Sequence, residues 1–247
     1  VASLLDAIVR AARGAGRALR PVGLCRLCAL RCQAPVCADC VAQYLGDAPA
    51  RCRRCALALH GGGTLCAACL LEPPPFTVTL ALGDYAPPQQ RLIHQLKYGG
   101  EPMLGRWLGA LLARRWQAAR LPRPTLVLAV PLSAARLRQR GYNQAWEIAR
   151  GVARELRVPA RAALLRRDVE RAPQTGLALA RRAANVRGAF SANPEAARRL
   201  RGARVLLVDD VMTSGSTVSA AARVLLDAGA AEVTVAVALR TPDWRDG

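Results

Sequence analysis

The sequence predicts a parallel α/β domain preceded by a small cysteine-rich module. Two observations carry this. All nine cysteines fall between Cys25 and Cys69. After them, short and almost wholly apolar runs alternate with amphipathic stretches of helical period. Strand and helix in alternation, with strands apolar on both faces, is the pattern of a parallel sheet covered by helices. The 247 residues, 52% of them hydrophobic, are enough for a sizeable core and exclude a disordered chain.

The elements follow in order. Leu4, Leu5, Ile8, Val9 and Ala12 are spaced as one face of a short amphipathic helix within residues 1–22. Asp6 and Arg10 interrupt its apolar part, so it does not read as a secretory signal. Residues 23–72 hold the cysteines. Pro73, Pro74 and Pro75 then break any regular element and mark a boundary, leaving 73–247 as the larger domain. There, strands are expected at Phe76–Tyr85, Thr125–Val130, Arg204–Val208 and Glu232–Leu239. Helices are expected at Pro87–Tyr98, Pro102–Arg120, Asn143–Leu156 and Thr217–Ala228. Apolar runs such as Thr125–Leu132 fall far short of the ~18–20 residues a bilayer span requires, so an integral membrane protein is not expected.

Eight cysteines form four Cys-x-x-Cys pairs: Cys25/Cys28, Cys37/Cys40, Cys52/Cys55 and Cys66/Cys69. Each pair points two thiolates at one centre, and two pairs complete a closed tetrahedral zinc site. Two structural zinc ions are therefore expected. Sequence order favours the first two pairs sharing one ion and the last two another, with an interleaved arrangement still open. An odd cysteine count and the lack of a signal argue against a disulfide framework and for a cytoplasmic location. Cys32 is left over. His60 stands beside three glycines and reads as a loop residue.

With 36 Lys+Arg against 17 Asp+Glu, the formal charge is +19. Two four-thiolate zinc sites would lower it only to about +15. Such a chain attracts anions, nucleic acid among them. Arg-rich, Ala-rich codon usage explains the same excess, and Lys97 is the only lysine. Charge alone does not choose between the two.

The richest segment is Val205-Leu-Leu-Val-Asp-Asp-Val-Met-Thr-Ser-Gly-Ser-Thr217. A buried strand ends in two adjacent acids, Asp209 and Asp210. Thr213, Ser214, Gly215, Ser216 and Thr217 then lead into a helix. Ligands of open α/β sheets bind at the carboxyl ends of strands. A tight loop entering a helix offers backbone N–H groups and the positive end of a dipole to a phosphate. The acids suit ribose hydroxyls or a Mg²⁺ ion on the same ligand. The segment reads as a cradle for a ribose 5-phosphate.

This segment closely resembles the 5-phosphoribosyl-1-pyrophosphate (PRPP) loop of type I phosphoribosyltransferases. Pro131-Leu-Ser-Ala-Ala-Arg-Leu-Arg-Gln-Arg-Gly-Tyr-Asn-Gln144 is similar to the pyrophosphate-side loop and the following signature of the ComF group. Leu92-Ile-His-Gln-Leu-Lys-Tyr98, Arg171-Ala-Pro-Gln-Thr-Gly176 and Arg182-Ala-Ala-Asn-Val-Arg-Gly-Ala-Phe190 match further ComF signatures, and the cysteine-rich start belongs to the same pattern. The resemblance runs from about Leu24 to Thr241 and implies a type I phosphoribosyltransferase fold behind a double zinc ribbon.

It also implies roles. Asp209 and Asp210 would hold the ribose hydroxyls, and Val211, Met212, Thr213, Ser214, Gly215, Ser216 and Thr217 would wrap the 5-phosphate. Leu132 and Ser133 would lie near the pyrophosphate with Mg²⁺, with Arg138 and Arg140 as clamps. Lys97 is either a cation near the leaving group or a solvated helix end. Asn143 and Gln144 either bind ligand or cap the next helix. His94 reads as a packing residue. Trp107, Trp116, Trp146 and Trp244 could stack bases, but Trp107 and Trp146 sit on apolar helix faces and read as core.

The resemblance implies catalysis of phosphoribosyl transfer to an unknown nitrogen acceptor. Thr213 stands where 6-oxopurine salvage enzymes carry an aspartate, which argues against those acceptors. The group's association is natural competence, with single-stranded DNA and the uptake machinery at the inner membrane face as partners. A non-catalytic DNA-binding accessory protein that uses PRPP as a regulatory or vestigial ligand is the alternative. A zinc-mediated adaptor is a third reading.

Overall fold

A computed structural model describes residues 22–46, 50–59, 61–167, 188–193 and 195–242. The expected N-terminal helix, His60, the Arg171–Gly176 signature, most of the Arg182–Phe190 signature and Trp244 lie outside these residues.

The cysteine-rich region contains β1 (Gly23–Leu24), β2 (Arg31–Cys32), α1 (Ala38–Leu45) and α2 (Ala67–Leu71). The larger part continues with β3 (Thr79–Asp84), α3 (Gln90–Tyr98), α4 (Pro102–Ala118), β4 (Leu126–Ala129), α5 (Ala134–Arg140) and α6 (Gln144–Leu156). It closes with β5 (Leu165–Arg167), β6 (Phe190–Ala192), α7 (Ala196–Leu200), β7 (Arg204–Met212), α8 (Ser216–Asp227) and β8 (Glu232–Arg240). The main sheet has the order β3-β8-β7-β4, and every neighbouring pair is parallel. β5 and β6 form a separate antiparallel pair.

The middle runs of the strands are apolar because both faces are covered. Along β7, Leu206 and Val208 join one buried cluster with residues of α3, α4 and α6. Val205 and Leu207 join the other, with α7, α8 and the β5/β6 hairpin. β8 divides in the same way, Ala236 and Ala238 to the first face, Val233, Val235 and Val237 to the second. The two-residue period of a strand thus feeds two cores.

Glycines set the closest helix approach. A Cβ on Gly109 of α4 would lie 2.8 Å from the Val152 nitrogen of α6, and one on Gly105 would lie 2.9 Å from Glu147 Cβ. Glu147 is buried, and its carboxylate takes Arg106 Nε at 2.7 Å and Arg150 Nη1 at 3.2 Å. Removing a carboxylate from water is tolerable here because both of its oxygens are paired.

The cysteine-rich region packs directly on this framework. Cys25, Leu27, Val36, Cys40 and Leu45 share the first core with Leu82 and Leu239, and Ala56 joins the second. β3 is an edge strand, and two of its outward groups are taken. Thr79 N–H donates to the Arg53 carbonyl at 2.9 Å, and Arg115 Nη1 donates to the Ala81 carbonyl.

Candidate functional site

β7 is longer than its apolar run. Asp209, Asp210, Val211 and Met212 all belong to the strand, and Val211 and Met212 stand in register with Leu239 and Arg240. The two acids therefore sit on a rigid element at the carboxyl end of a central strand. Each carboxylate is oriented by the backbone that follows it: Asp210 N–H donates to Asp209 Oδ1 at 2.9 Å, and Val211 N–H to Asp210 Oδ1 at 2.8 Å.

The chain then turns through Thr213, Ser214 and Gly215. Gly215 has φ +80°, a left-handed conformation that a side chain resists. Ser214 Oγ lies 2.9 Å from Ser216 Oγ and accepts from the Ser216 N–H at 3.4 Å. α8 starts at once, and no side chain of its N-cap residue closes its amino end. Thr213 and Ser214 are exposed. A strand end with paired acids, a hydroxyl-lined turn and an open helix amino terminus can hold a sugar phosphate, hydroxyls toward the acids and phosphate toward the helix.

Lys97, at the end of α3, reaches this place. Its Nζ is 3.0 Å from Asp210 Oδ2, with both side chains largely buried. It is therefore not a solvated helix end. Burial, and then the Asp210 charge, push the Asp209 carboxyl well above the usual carboxylate range. The Asp210 N–H and the charges of Lys97 and Arg167 oppose this without cancelling it. Arg167 was not picked out in the sequence. It ends β5, its guanidinium lies 5.4 Å from the centre of the Phe190 ring, and it feels the charges of Arg136 and Asp209. Nothing distinguished it from the other arginines, because only the hairpin brings it to Asp209.

The other expected residues divide. Ser133 caps α5, its Oγ accepting from Arg136 N–H at 3.4 Å, and Leu132 lies beside it at the end of β4's loop. The segment after Leu132, read as a loop, is the helix α5, ended by Gly141 at φ +75°. Arg138 is exposed on it. Arg140 is held in place, donating to Gln144 Oε1 at 3.0 Å and lying 5.7 Å over the Tyr98 ring. Asn143 caps α6, accepting from Trp146 N–H at 3.3 Å and donating to the Val130 carbonyl at 3.0 Å. Gln144 is buried. The capping alternative therefore holds for Asn143, and Gln144 orients Arg140. His94 is exposed rather than half-buried, and its ring packs only on Tyr98, whereas Trp107 and Trp146 do pack against the core.

The cysteines gather as two sets, Cys25/Cys28/Cys37/Cys40 and Cys52/Cys55/Cys66/Cys69, with the sulfurs of each set within 4.8 Å of one another. The grouping is sequential, not interleaved. Each set can hold a metal ion. Cys28 and Cys37 sulfurs are 3.7 Å apart, and Cys55 and Cys66 sulfurs 3.6 Å. A tetrahedron with bonds of about 2.3 Å has edges of about 3.8 Å, so four thiolates around zinc fit. Burial raises the Cys25 thiol, but backbone N–H groups of Cys28, Cys37 and Leu27 outweigh it and bring it down to about 6. Cys52 falls to about 7 by the same balance, with Cys55, Cys66 and Arg54 as backbone donors. Burial, with neighbouring sulfurs, pushes Cys40 and Cys69 up. Cys32 stands apart and donates to the Ala34 carbonyl.

Known proteins bear directly on this arrangement. The phosphoribosyl transferase domain model matches residues 143–245, a span that contains the acids and the loop. The DNA utilization protein YhgH of Salmonella typhi is 32% identical over 226 residues, covering 89% of this chain and 97% of that protein. The chain belongs to the ComF/YhgH family of phosphoribosyltransferase-domain proteins. The Competence protein F of Haemophilus influenzae is 30% identical, over 74% of this chain and 82% of its own length. A solved glutamine PRPP amidotransferase from B. subtilis is 26% identical over 54% of this chain, with a TM-score of 0.36. The chain spans about a quarter of that enzyme's length, and nothing of its activity is carried across. ComF-like membership agrees with the parallel sheet and the paired cysteine clusters. Among the described residues, no helix is long and apolar enough to cross a membrane.

Proposed function

We propose that this ComF-like chain binds Mg-PRPP at the end of β7 and transfers its phosphoribosyl group to an unidentified nitrogen acceptor, in the handling of DNA during uptake. The observation that carries the reading is Asp209 and Asp210 near the carboxyl end of a central strand, followed directly by the Gly215 turn and the open amino end of α8. Asp209 and Asp210 hold the ribose hydroxyls. The loop from Val211 to Thr217 wraps the 5-phosphate. Leu132 and Ser133 border the pyrophosphate, and Arg138, Arg140 and Lys97 supply cations as its charge develops. Mg²⁺, when bound with the substrate, supplies further neutralisation of the pyrophosphate. Zinc fills both cysteine sets, so 23–72 is a double ribbon and 73–247 the transferase-like domain. The protein works in the cytoplasm, near the inner membrane face.

The names of the relatives, DNA utilization protein and competence protein, favour a second reading. In it the chain is an accessory protein for single-stranded DNA, and PRPP is a regulatory ligand. Calorimetric titration of Mg-PRPP into the wild type and into Asp209→Ala/Asp210→Ala tests the site. Binding by the wild type that disappears in the double variant is the expected result. No binding by folded, metal-loaded wild type would overturn the PRPP reading. Pyrophosphate release in the presence of candidate acceptors then separates enzyme from accessory protein.

A further inference from the structure

A cavity of about 370 Å³ lies between the second cysteine set and the starting ends of the sheet strands. Its wall includes Thr77 and Val78 just before β3, Arg204 at the first residue of β7, and Glu232 and Thr234 at the start of β8. Asp210 lies six residues further along β7 than Arg204, ~20 Å at strand rise. The cavity is thus at the opposite end of the sheet from the proposed PRPP site, and the proposed activity makes no use of it. Its volume falls in the range of small-molecule sites.

The chemistry of the wall is specific in kind. Three arginines, Arg53, Arg54 and Arg204, line the cavity with a single acidic residue, Glu232. Among the described residues, the Arg53 and Arg54 side chains have no acceptor, and Arg204 spends Nε and Nη2 on the Arg123 carbonyl. The Glu232 carboxylate accepts from the Thr77 hydroxyl at 2.6 Å and keeps its charge, so the lining carries three cations against one anion. Guanidinium forks in this setting match phosphate oxygens. The lining also includes apolar residues, of which Leu121 and Pro122 keep accessible surface. Trp116 is 3% exposed, so its ring backs the cavity without offering a face to a ligand.

Three arginines, threonine hydroxyls and the accessible apolar surface of Leu121 and Pro122 match one ligand class. We propose that this cavity binds a nucleoside monophosphate, its phosphate on Arg53, Arg54 and Arg204 and its base against Leu121 and Pro122. The unit comes either free or as the end of a single strand. An adjoining cavity of about 330 Å³ shares Arg53, Val78 and Leu121 with the first, which gives a strand room to continue.

The test uses the full chain with its metal bound. Deoxyadenosine 5′-monophosphate, inorganic phosphate and a ten-residue oligothymidylate are titrated calorimetrically, each with and without excess PRPP. Expected is one-site binding of the nucleotide that excess PRPP does not displace and that survives Asp209→Ala/Asp210→Ala. It should weaken at least tenfold in Arg53→Glu/Arg54→Glu and several-fold in Leu121→Ser. If the double arginine variant does not fold, Arg204→Gln reads the same site through a smaller loss. Oligothymidylate binding more tightly than the free nucleotide identifies the strand as the source, and the reverse identifies the free nucleotide. Absence of nucleotide and oligonucleotide binding, or binding unchanged by the arginine variants, would overturn the proposal. So would inorganic phosphate binding as tightly as the nucleotide. Failure of PRPP to bind leaves this readout intact, so the two sites stand or fall separately.

Discussion

Arg240 ties the last strand of the sheet to the second cysteine set: its Nε donates to the Cys55 carbonyl at 2.9 Å. The same guanidinium donates from Nη1 to the Met212 carbonyl at 3.2 Å and to the Thr241 carbonyl at 2.6 Å. One side chain, 8% exposed, thus holds a metal-ligand turn and the root of the Thr213–Thr217 loop together. Arg240→Leu leaves three carbonyls without this donor and should cost about 2–4 kcal/mol in urea unfolding. Arg240→Lys should recover little, because an ammonium lacks the fork that reaches separate acceptors. On the PRPP reading, both variants also bind PRPP more weakly; unchanged stability in the leucine variant would contradict the tie.

The sequential grouping of cysteines has a direct stoichiometric consequence. Wild-type protein should carry two metal ions per chain, one for each four-sulfur set. Cys28→Ser and Cys66→Ser should each retain one, and the double variant none, as read by elemental analysis of protein dialysed against a weak chelator. Interleaved coordination would instead let one substitution disturb a ligand set drawn from both halves. Acidification should release metal, since thiolates are the ligands.

Asp209 is held against its preference. A carboxyl whose folded pKa is raised contributes stability that is fully present below its unfolded value and is lost as pH rises through the folded value. At neutral pH the folded protein therefore bears the cost of this group. Asp209→Asn should raise stability by about 1 kcal/mol at pH 7.5, with the advantage over wild type shrinking toward pH 4. Paired urea titrations at the two pH values measure it. An asparagine variant less stable than wild type at pH 7.5 would show that the carboxylate is a net stabiliser instead.

The crossing of α4 and α6 has no room for a side chain at Gly109. A Cβ there meets Val152 N at 2.8 Å and Gly151 Cα at 2.9 Å, both backbone atoms that cannot turn aside. Gly109→Val should cost about 3 kcal/mol or prevent folding. Gly202→Ala probes strain of another kind, since nothing lies within 4 Å of its Cβ position but φ is +68°, and about 1 kcal/mol is expected.

Much of this was legible because it is written in local chemistry. Apolar runs marked β4, β7 and β8. The cysteine spacing gave the sulfur sets, with their pairing left open until the chain folded. What escaped depends on distant partners. Arg167 gains its place only through a hairpin with Phe190, and Lys97 meets Asp210 across 113 residues of sequence. The strand β7 was cut short at Val208 because acids end an apolar run, although their backbone continues to pair with β8. α5 was missed because Ala134–Arg140 has no buried residue; its cap at Ser133 and its stop at Gly141 were the available signals.

The cover on β3 gives the cysteine region a protective task. An edge strand with free N–H and C=O groups is a template for another chain. Here the Arg53 carbonyl and the Arg115 guanidinium occupy that template at Thr79 and Ala81. Arg53 lies between Cys52 and Cys55, so its part of the guard stays in place only while that turn is held. If the second set holds a metal ion, losing it would uncover the strand at Thr79, where it could pair with its like. The first sign of demetallation would then be self-association of the chain, ahead of any unfolding of the sheet.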